Sequence, residues 1–485
     1  MLLYLCVLVL CDGRELFVPD LLKTRTITRQ ILNRFKKDEK YDNADIIKIQ
    51  IFDGVEHIEE SSFNTFTSLC DVIIPHGVIT IQNNAFYDCR CLTFINLPSS
   101  LISIGSRSFE GCICLSHITI PESVTSIGSH AFYRCDSLES INIPTSVTII
   151  KGSTFDRCSS LQGITIPNSV TSIKQNAFSD CRSLRTVTIP DSVTDIGWCA
   201  FRCCGSLVSI VIPDTITEIG SFAFYKCHSL TKVNIPKSLI SINSNTFNEC
   251  SSLTKVSIPS SVKTIYEYAF RKCSSMNDIH IPDSVVSIGK KAFKGCDALK
   301  SINIPNSVNV IGETAFEGCI SLKSISIPSY VNTIGICVFF GCHLFPTVFI
   351  QPTKKDHLCK PNLNVLINIQ KLKISKIWAS DIIVKQLEGA FKDYTTFTDV
   401  PRAMRVAPDA TTWAGVQLWM WWLPPSSFSA GSDDTRTVCT SRTVTIWNTM
   451  ASAYRASEVL EVLPDLEPEL WELIFTFLRH DLRPR

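Results

Sequence analysis

The sequence predicts a β-rich solenoid of the α/β class, and three observations carry that prediction. A phrase of 23 residues, I-P-x-S-V-x-x-I-G-x-x-A-F-x-x-C-x-S-L-x-x-I-x, recurs thirteen times between Phe52 and Ile350 without an insertion or deletion. Prolines keep step from Pro75 to Pro328. A phenylalanine column from Phe63 through Phe86 and Phe109 to Phe339 runs beside a cysteine column from Cys89 through Cys112 to Cys342. A fixed period of this size means that each unit buries its apolar face only against its neighbours.

Each position in the phrase has a local reason, seen in the copy from Leu138 to Cys158. Ile141 and Ile143 alternate with Asn142, the spacing of a strand with one buried face. Pro144 ends that strand because it has no N–H for the ladder. Ser146 begins a turn, Val147 and Ile150 start a second short extended piece, and Phe155 closes the unit. Neighbouring strands about 4.8 Å apart give thirteen units a length on the order of 60 Å. The glycine after isoleucine, as at Gly105, Gly197 and Gly220, is expected to fill a turn with an unusual φ. Lys174, Asn243 and Tyr266 share that column, so the requirement is not absolute. A small residue before each phenylalanine leaves room for the ring of the next unit. The cysteine column suits a small, buried, weakly polar side chain.

The string L-x-x-I-x-I-P-x-S-V-x-x-I-G-x-x-A-F-x-x-C resembles the BspA-type (Treponema-type) leucine-rich repeats, over about 300 of the 485 residues. The whole chain is also similar to the leucine-rich-repeat proteins abundant in diatoms. The resemblance implies a right-handed, curved leucine-rich-repeat solenoid used for binding. Members of the family occur at microbial surfaces and as intracellular sets in protists, so the resemblance leaves location open.

Composition narrows the function classes. A net charge of +1 gives no bulk attraction to nucleic acid or to a membrane surface. Twelve of the 22 cysteines belong to the repeat column and read as core thiols, which favours a reducing compartment. Cys89-x-Cys91 and Cys112-x-Cys114 raise a four-thiol zinc alternative. Cys89 and Cys112 lie in the inward column, whereas Cys91 and Cys114 replace the serine beside leucine, so the structural reading is preferred. Cys199, Cys203 and Cys204 read as structural too, and no metal or cofactor is assigned.

Caps are expected at both ends of the solenoid, with residues 1–45 before it, the solenoid over 46–350, and 351–485 after it. Met1 to Leu10 is apolar, yet no Lys or Arg precedes the run and no small-x-small site follows, as a signal peptide would require. Asp12-Gly13 between that run and Glu15-Leu16-Phe17-Val18 favours a hairpin. A helix is expected from Leu21 to Lys37, with Ile27, Ile31 and Phe35 on one face and a basic solvated face opposite. The first solenoid strand should begin near Ile46. After the repeats, Leu363 to Trp378 reads as irregular strand and Asp381 to Phe391 as helix. Trp413 to Trp422 reads as the core of a Trp-rich cap, with a binding hot spot as the alternative. Leu463 to Leu478 reads as a docking helix, and it also resembles the opening of an F-box.

No catalytic constellation is assembled. Nine histidines are scattered without metal-ligand spacing, and no phosphate loop or nucleophile elbow is present. The outward sheet positions are small and hydroxyl-rich, as at Thr119, Asn142 and Thr165, and become basic at Arg185, Lys232, Lys255, Lys300 and Lys323, against Glu139 and Asp278. Such a face suits an acidic protein segment; the plain alternative is that these residues keep a long exposed sheet soluble. It lacks the aromatics interleaved with arginine that bind nucleic acid. The expectation is a monomeric, cytoplasmic, non-enzymatic scaffold for protein–protein interaction. A secreted or cell-surface adhesin and an F-box-like substrate adaptor for ubiquitin ligation are the alternatives.

Overall fold

A computed structural model describes residues 4–19, 25–39, 41–328, 331–342, 347–351, 376–380 and 415–418. Met1–Trp421 forms one compact unit. The second, Trp422–Arg485, lies outside the described residues, as do the expected helices at Asp381–Phe391 and Leu463–Leu478 and most of the Trp-rich stretch.

The chain opens with strand β1 (Tyr4–Leu10) and strand β2 (Glu15–Pro19), followed by β3 (Thr26–Ile27), helix α1 (Arg29–Glu39) and β4 (Ile46–Ile51). From β4 onward each 23-residue unit contributes two short strands to two separate parallel ladders. The next two are β5 (His57–Ile58) and β6 (Asp71–Ile73). The longer ladder begins with β4 and β6 and continues through strands such as Lys232–Asn234, Lys255–Ser257 and Thr347–Gln351. The shorter one begins with β3 and β5 and reaches Thr333–Ile334; each ladder is made of three successive hydrogen-bonded sheets. Register is strict: Ile118 faces Ile95, and Ile127 faces Ile104, each exactly one period away. Thr347–Gln351 pairs onward with Lys376–Ser380, which pairs antiparallel with Gly415–Leu418. No helix among the described residues is long and apolar enough to cross a membrane.

The interior is a set of stacked columns. Phe86 and Phe109 are fully buried, with ring centroids 5.3 Å apart and planes 4° from parallel. The same stacking continues from Phe63 to Phe339. The cysteine column is equally buried and does more than fill space. Each of its twelve thiols donates to the carbonyl oxygen of a phenylalanine in the preceding coil, as Cys181 does to Phe155 at 3.1 Å. Desolvation pushes these thiols well up from their ordinary range, as at Cys135 and Cys181.

Two sequence expectations are corrected here. The glycines after isoleucine do not occupy left-handed backbone. At Gly220 an added Cβ would lie 2.5 Å from the backbone nitrogen of Trp198, and at Gly197 it would lie 2.6 Å from that of Gln175. Close approach between coils, and not φ, selects glycine at these two positions. The left-handed positions fall elsewhere, in two columns represented by Asn84 (φ 56°) and Asp88 (φ 60°). That conformation costs roughly 1–2 kcal/mol per residue for an L side chain. Here it turns the N–H along the solenoid axis, so that Asp88 donates to the Glu110 carbonyl at 2.6 Å and Arg134 to that of Asp156 at 2.9 Å.

The second correction concerns the helix, which starts at Arg29 and not at Leu21. Ile27, expected on its apolar face, is fully buried in β3 and paired with Ile58. A ladder bond and full burial outweigh helical periodicity there. Thr28 caps the helix, its hydroxyl accepting from the Ile31 N–H at 3.1 Å.

The N-terminal end of the solenoid is closed by two devices. β1 pairs antiparallel with β4 on one side and with β2 on the other, and Gly13 (φ 85°) allows the turn between β1 and β2. Arg29 covers that end at Phe66, which packs edge-on against Phe63, the first ring of the stack. Its guanidinium sits 5.8 Å from the Phe66 ring centre and donates to the Asn64 carbonyl at 2.9 Å. In later coils the equivalent carbonyl takes an N–H from the coil before it, as Tyr87 does from Thr65. Arg29 supplies a donor where a preceding coil would have, together with the Asn43 amide at 3.4 Å and the Thr65 hydroxyl at 2.6 Å.

Candidate binding surface

The longer ladder presents a face on which exposed and buried residues alternate. In Lys232–Asn234 and Lys255–Ser257 the central valine is buried and both flanking side chains are exposed. This follows from the two-residue period of a strand with its central residue in the core.

All five basic residues singled out from the sequence are exposed on this face. They do not form one patch. Lys232 is the register partner of Lys255, one coil away. Lys300 and Lys323 are also on adjacent coils, joined by an N–H to carbonyl bond of 2.9 Å. Asp278, the register partner of Lys255, stands between the two lysine pairs. Arg185 is separate, with exposed Val208 and Val211 on the next coil. Among the described residues none of the five makes an ion pair.

Elsewhere cations are gathered around carboxylates. Glu249 takes Arg271 at 3.4 Å and Lys272 at 3.2 Å. Asp180 takes Arg202 at 3.0 Å and Arg182 at 3.1 Å, and Lys294 reaches Glu317 at 2.8 Å.

Two outward residues of the sheet are structural and not free to engage a ligand. The Asn142 amide spans the Ile120 peptide, accepting from its N–H at 2.9 Å and donating to its carbonyl at 2.7 Å. Asn234 does the same for Ile212. In each case the asparagine supplies ladder bonds where the proline ends the strand.

The zinc alternative is not supported by the geometry. Cys89 and Cys112 are buried and donate to Phe63 and Phe86, whereas Cys91 and Cys114 are exposed. Among the described residues no group of three or more His, Cys, Asp or Glu side chains is arranged to hold a metal ion.

Two clefts lie outside the expected face. One, about 310 Å³, is lined by Arg134, Asp136, Arg157, Ser159, Asp180 and Arg182. Beside it burial, reinforced by the charge of Asp180, pushes the Asp156 carboxyl up to about 6. The other, about 380 Å³, is bordered by Trp198, Asp195 and Glu218. Its bulky member, Trp198, is 51% exposed in a column held by Gln175 and Ser221 in the flanking coils. Neither cleft was visible from single positions. Departures from the column consensus, read across neighbouring coils, would have marked both.

Comparison with known proteins gives one family. The model of the BspA type leucine rich repeat region matches residues 37–162, 148–277 and 263–380, in six copies. A leucine-rich repeat protein of known structure from Bacteroides ovatus is 35% identical, with a TM-score of 0.52 over 59% of this chain and 80% of that one. A leucine rich cell surface protein from Faecalibacterium prausnitzii is 27% identical over 64% of this chain and 84% of its own, with a TM-score of 0.42. No curated protein matches the chain.

Proposed function

The chain belongs to the BspA-type leucine-rich repeat family, and on that premise we propose that it is a non-enzymatic scaffold that binds an acidic segment of a partner protein along the longer ladder. One observation carries this. Lys232 with Lys255, and Lys300 with Lys323, stand exposed in adjacent coils without an ion pair among the described residues, while Glu249 and Asp180 each gather cations elsewhere. Like charges at neighbouring strand positions, offset here only by Asp278 beside Lys255, repel each other and are relieved when an anionic partner binds. The setting we infer is cytoplasmic. It is supported by the twelve column thiols, each used as a hydrogen-bond donor inside the core.

The test is binding of the full chain to a fluorescent peptide rich in Asp and Glu, across a salt series. Reversing all four lysines to glutamate should weaken binding by about tenfold or more, and added salt should weaken the native protein in parallel. Undiminished binding by the reversed variant would remove the sheet face from consideration. A tagged full chain found in the medium or at the cell surface would replace the cytoplasmic setting with a secreted one.

A further inference from the structure

Three cysteines that depart from the buried column stand together on the surface. Cys91 and Cys114 occupy the position that Ser68 and Ser137 hold in the flanking coils, just before a buried leucine. Cys70 follows the buried Leu69 one coil before Cys91. All three are exposed. The Cys91 N–H donates to the Thr67 carbonyl at 3.2 Å and that of Cys114 to the Arg90 carbonyl at 3.3 Å, so the three backbones are tied coil to coil. The Cys70 thiol donates to the Ser68 carbonyl at 3.2 Å, and Ser68 holds the repeat position that Cys91 holds in the next coil. Burial pushes the Cys70 thiol up from its ordinary range, and Cys91 and Cys114 lie near enough to add to that shift.

We propose that Cys70, Cys91 and Cys114 form an exposed disulfide-exchange site in which Cys91 is the shared partner, and whose co-substrate is a small disulfide of the glutathione type. The Cys91 thiolate attacks one sulfur of the small disulfide, forming a mixed disulfide and releasing one thiolate. The Cys70 thiolate then attacks the Cys91 sulfur, forming the Cys70–Cys91 bond and releasing the second. The two protons lost by the protein thiols end on the two released thiolates. Two protein thiols are oxidised and one small disulfide is reduced to two thiols. The bond would cross-link consecutive coils beside the exposed Ile73 and Phe94. The column thiols are shut out of this chemistry by full burial, and Cys11 and Cys337 are exposed elsewhere in the chain.

The full chain is treated with oxidised glutathione, quenched with an alkylating reagent, digested without reduction and mapped by mass spectrometry. A Cys70–Cys91 link that dithiothreitol reverses is the expected product. Cys114→Ser should retain it, Cys70→Ser should give a Cys91–Cys114 link, and Cys91→Ser should give neither. Serine already fills the Cys91 position in most coils, so the Cys91 and Cys114 variants should keep their thermal midpoints. Glutathione retained separately on Cys70 and Cys91, links only between molecules, or a Cys70–Cys114 link formed equally well in Cys91→Ser would each overturn the proposal.

Discussion

The thiol of Cys135 donates to the carbonyl oxygen of Phe109 in the preceding coil at 3.2 Å, and the same oxygen accepts the Cys112 N–H at 3.2 Å. One carbonyl thus holds its own turn closed and ties it to the next coil, in the part of the cross-section that neither strand ladder reaches. Thiol reactivity should report this. In the native protein an alkylating reagent should modify Cys11, Cys70, Cys91, Cys114 and Cys337 quickly, and the twelve column thiols only as fast as the solenoid opens. Rapid labelling of Cys135 or Cys204 under native conditions would contradict the arrangement.

Phe201 is fully buried between Phe178 at 5.3 Å and Phe224 at 5.5 Å. Phe201→Ala should cost about 3–5 kcal/mol, through lost burial and the cavity left in a stack that cannot collapse along its axis. Chemical denaturation would measure it. Because each coil contacts only its neighbours, a broadened transition is the expected form of the loss.

Gly220→Ala should destabilise by about 1–3 kcal/mol, since its new methyl group would meet the Trp198 backbone. Gly205→Ala, where an added Cβ meets nothing within 4 Å, is the control and should leave the thermal midpoint nearly unchanged.

Arg29→Leu should remove the guanidinium donor from the Asn64 carbonyl, which keeps the Thr65 hydroxyl and the Asn43 amide, at a cost of about 0.5–1.5 kcal/mol. Hydrogen exchange is the measurement that localises it. Amides from Ser61 to Phe66 should exchange faster, while those around Phe201 keep their protection.

The Asp156 carboxyl, pushed up to about 6 by burial and by Asp180, makes stability pH-dependent with a definite sign. Its folded pKa lies above the ordinary 3.8, so the folded state holds the proton more tightly. The stabilisation is fully present below about pH 4 and is lost as pH rises through about 6. Asp156→Asn should remove that part of the slope and raise the thermal midpoint at neutral pH. An unchanged profile between pH 4 and 7 in this variant would show that Asp156 titrates normally.

Much of this architecture was legible because repetition multiplies each local signal. One Ile-Pro or one Ala-Phe says little, whereas a fixed phase from Phe63 to Phe339 leaves a stacked solenoid as the physical solution. What the sequence hid was relational. Gly220 signals an unusual φ or a close neighbour equally well, and only the position of Trp198 decides between them. Asn142 looked like a surface residue because its bond to Ile120 spans 22 residues. Ile27 fitted a helical face until its ladder partner Ile58 was in place. The five basic residues are on the face the spacing indicated. Their division into two lysine pairs and an isolated arginine follows from which coils carry them and is legible once the units are aligned.

Every coil offers a line of donors on one side and a matching line of acceptors on the other, so a bare end is a template for the opposite end of any other copy. A stack built this way has no intrinsic stopping point, and its ungoverned form is a fibre. The antiparallel turn of β1 onto β4 and the guanidinium of Arg29 spoil that complementarity at one end. They remove one of the two faces that end-to-end stacking of copies would need, and losing them should threaten solubility before it threatens the fold.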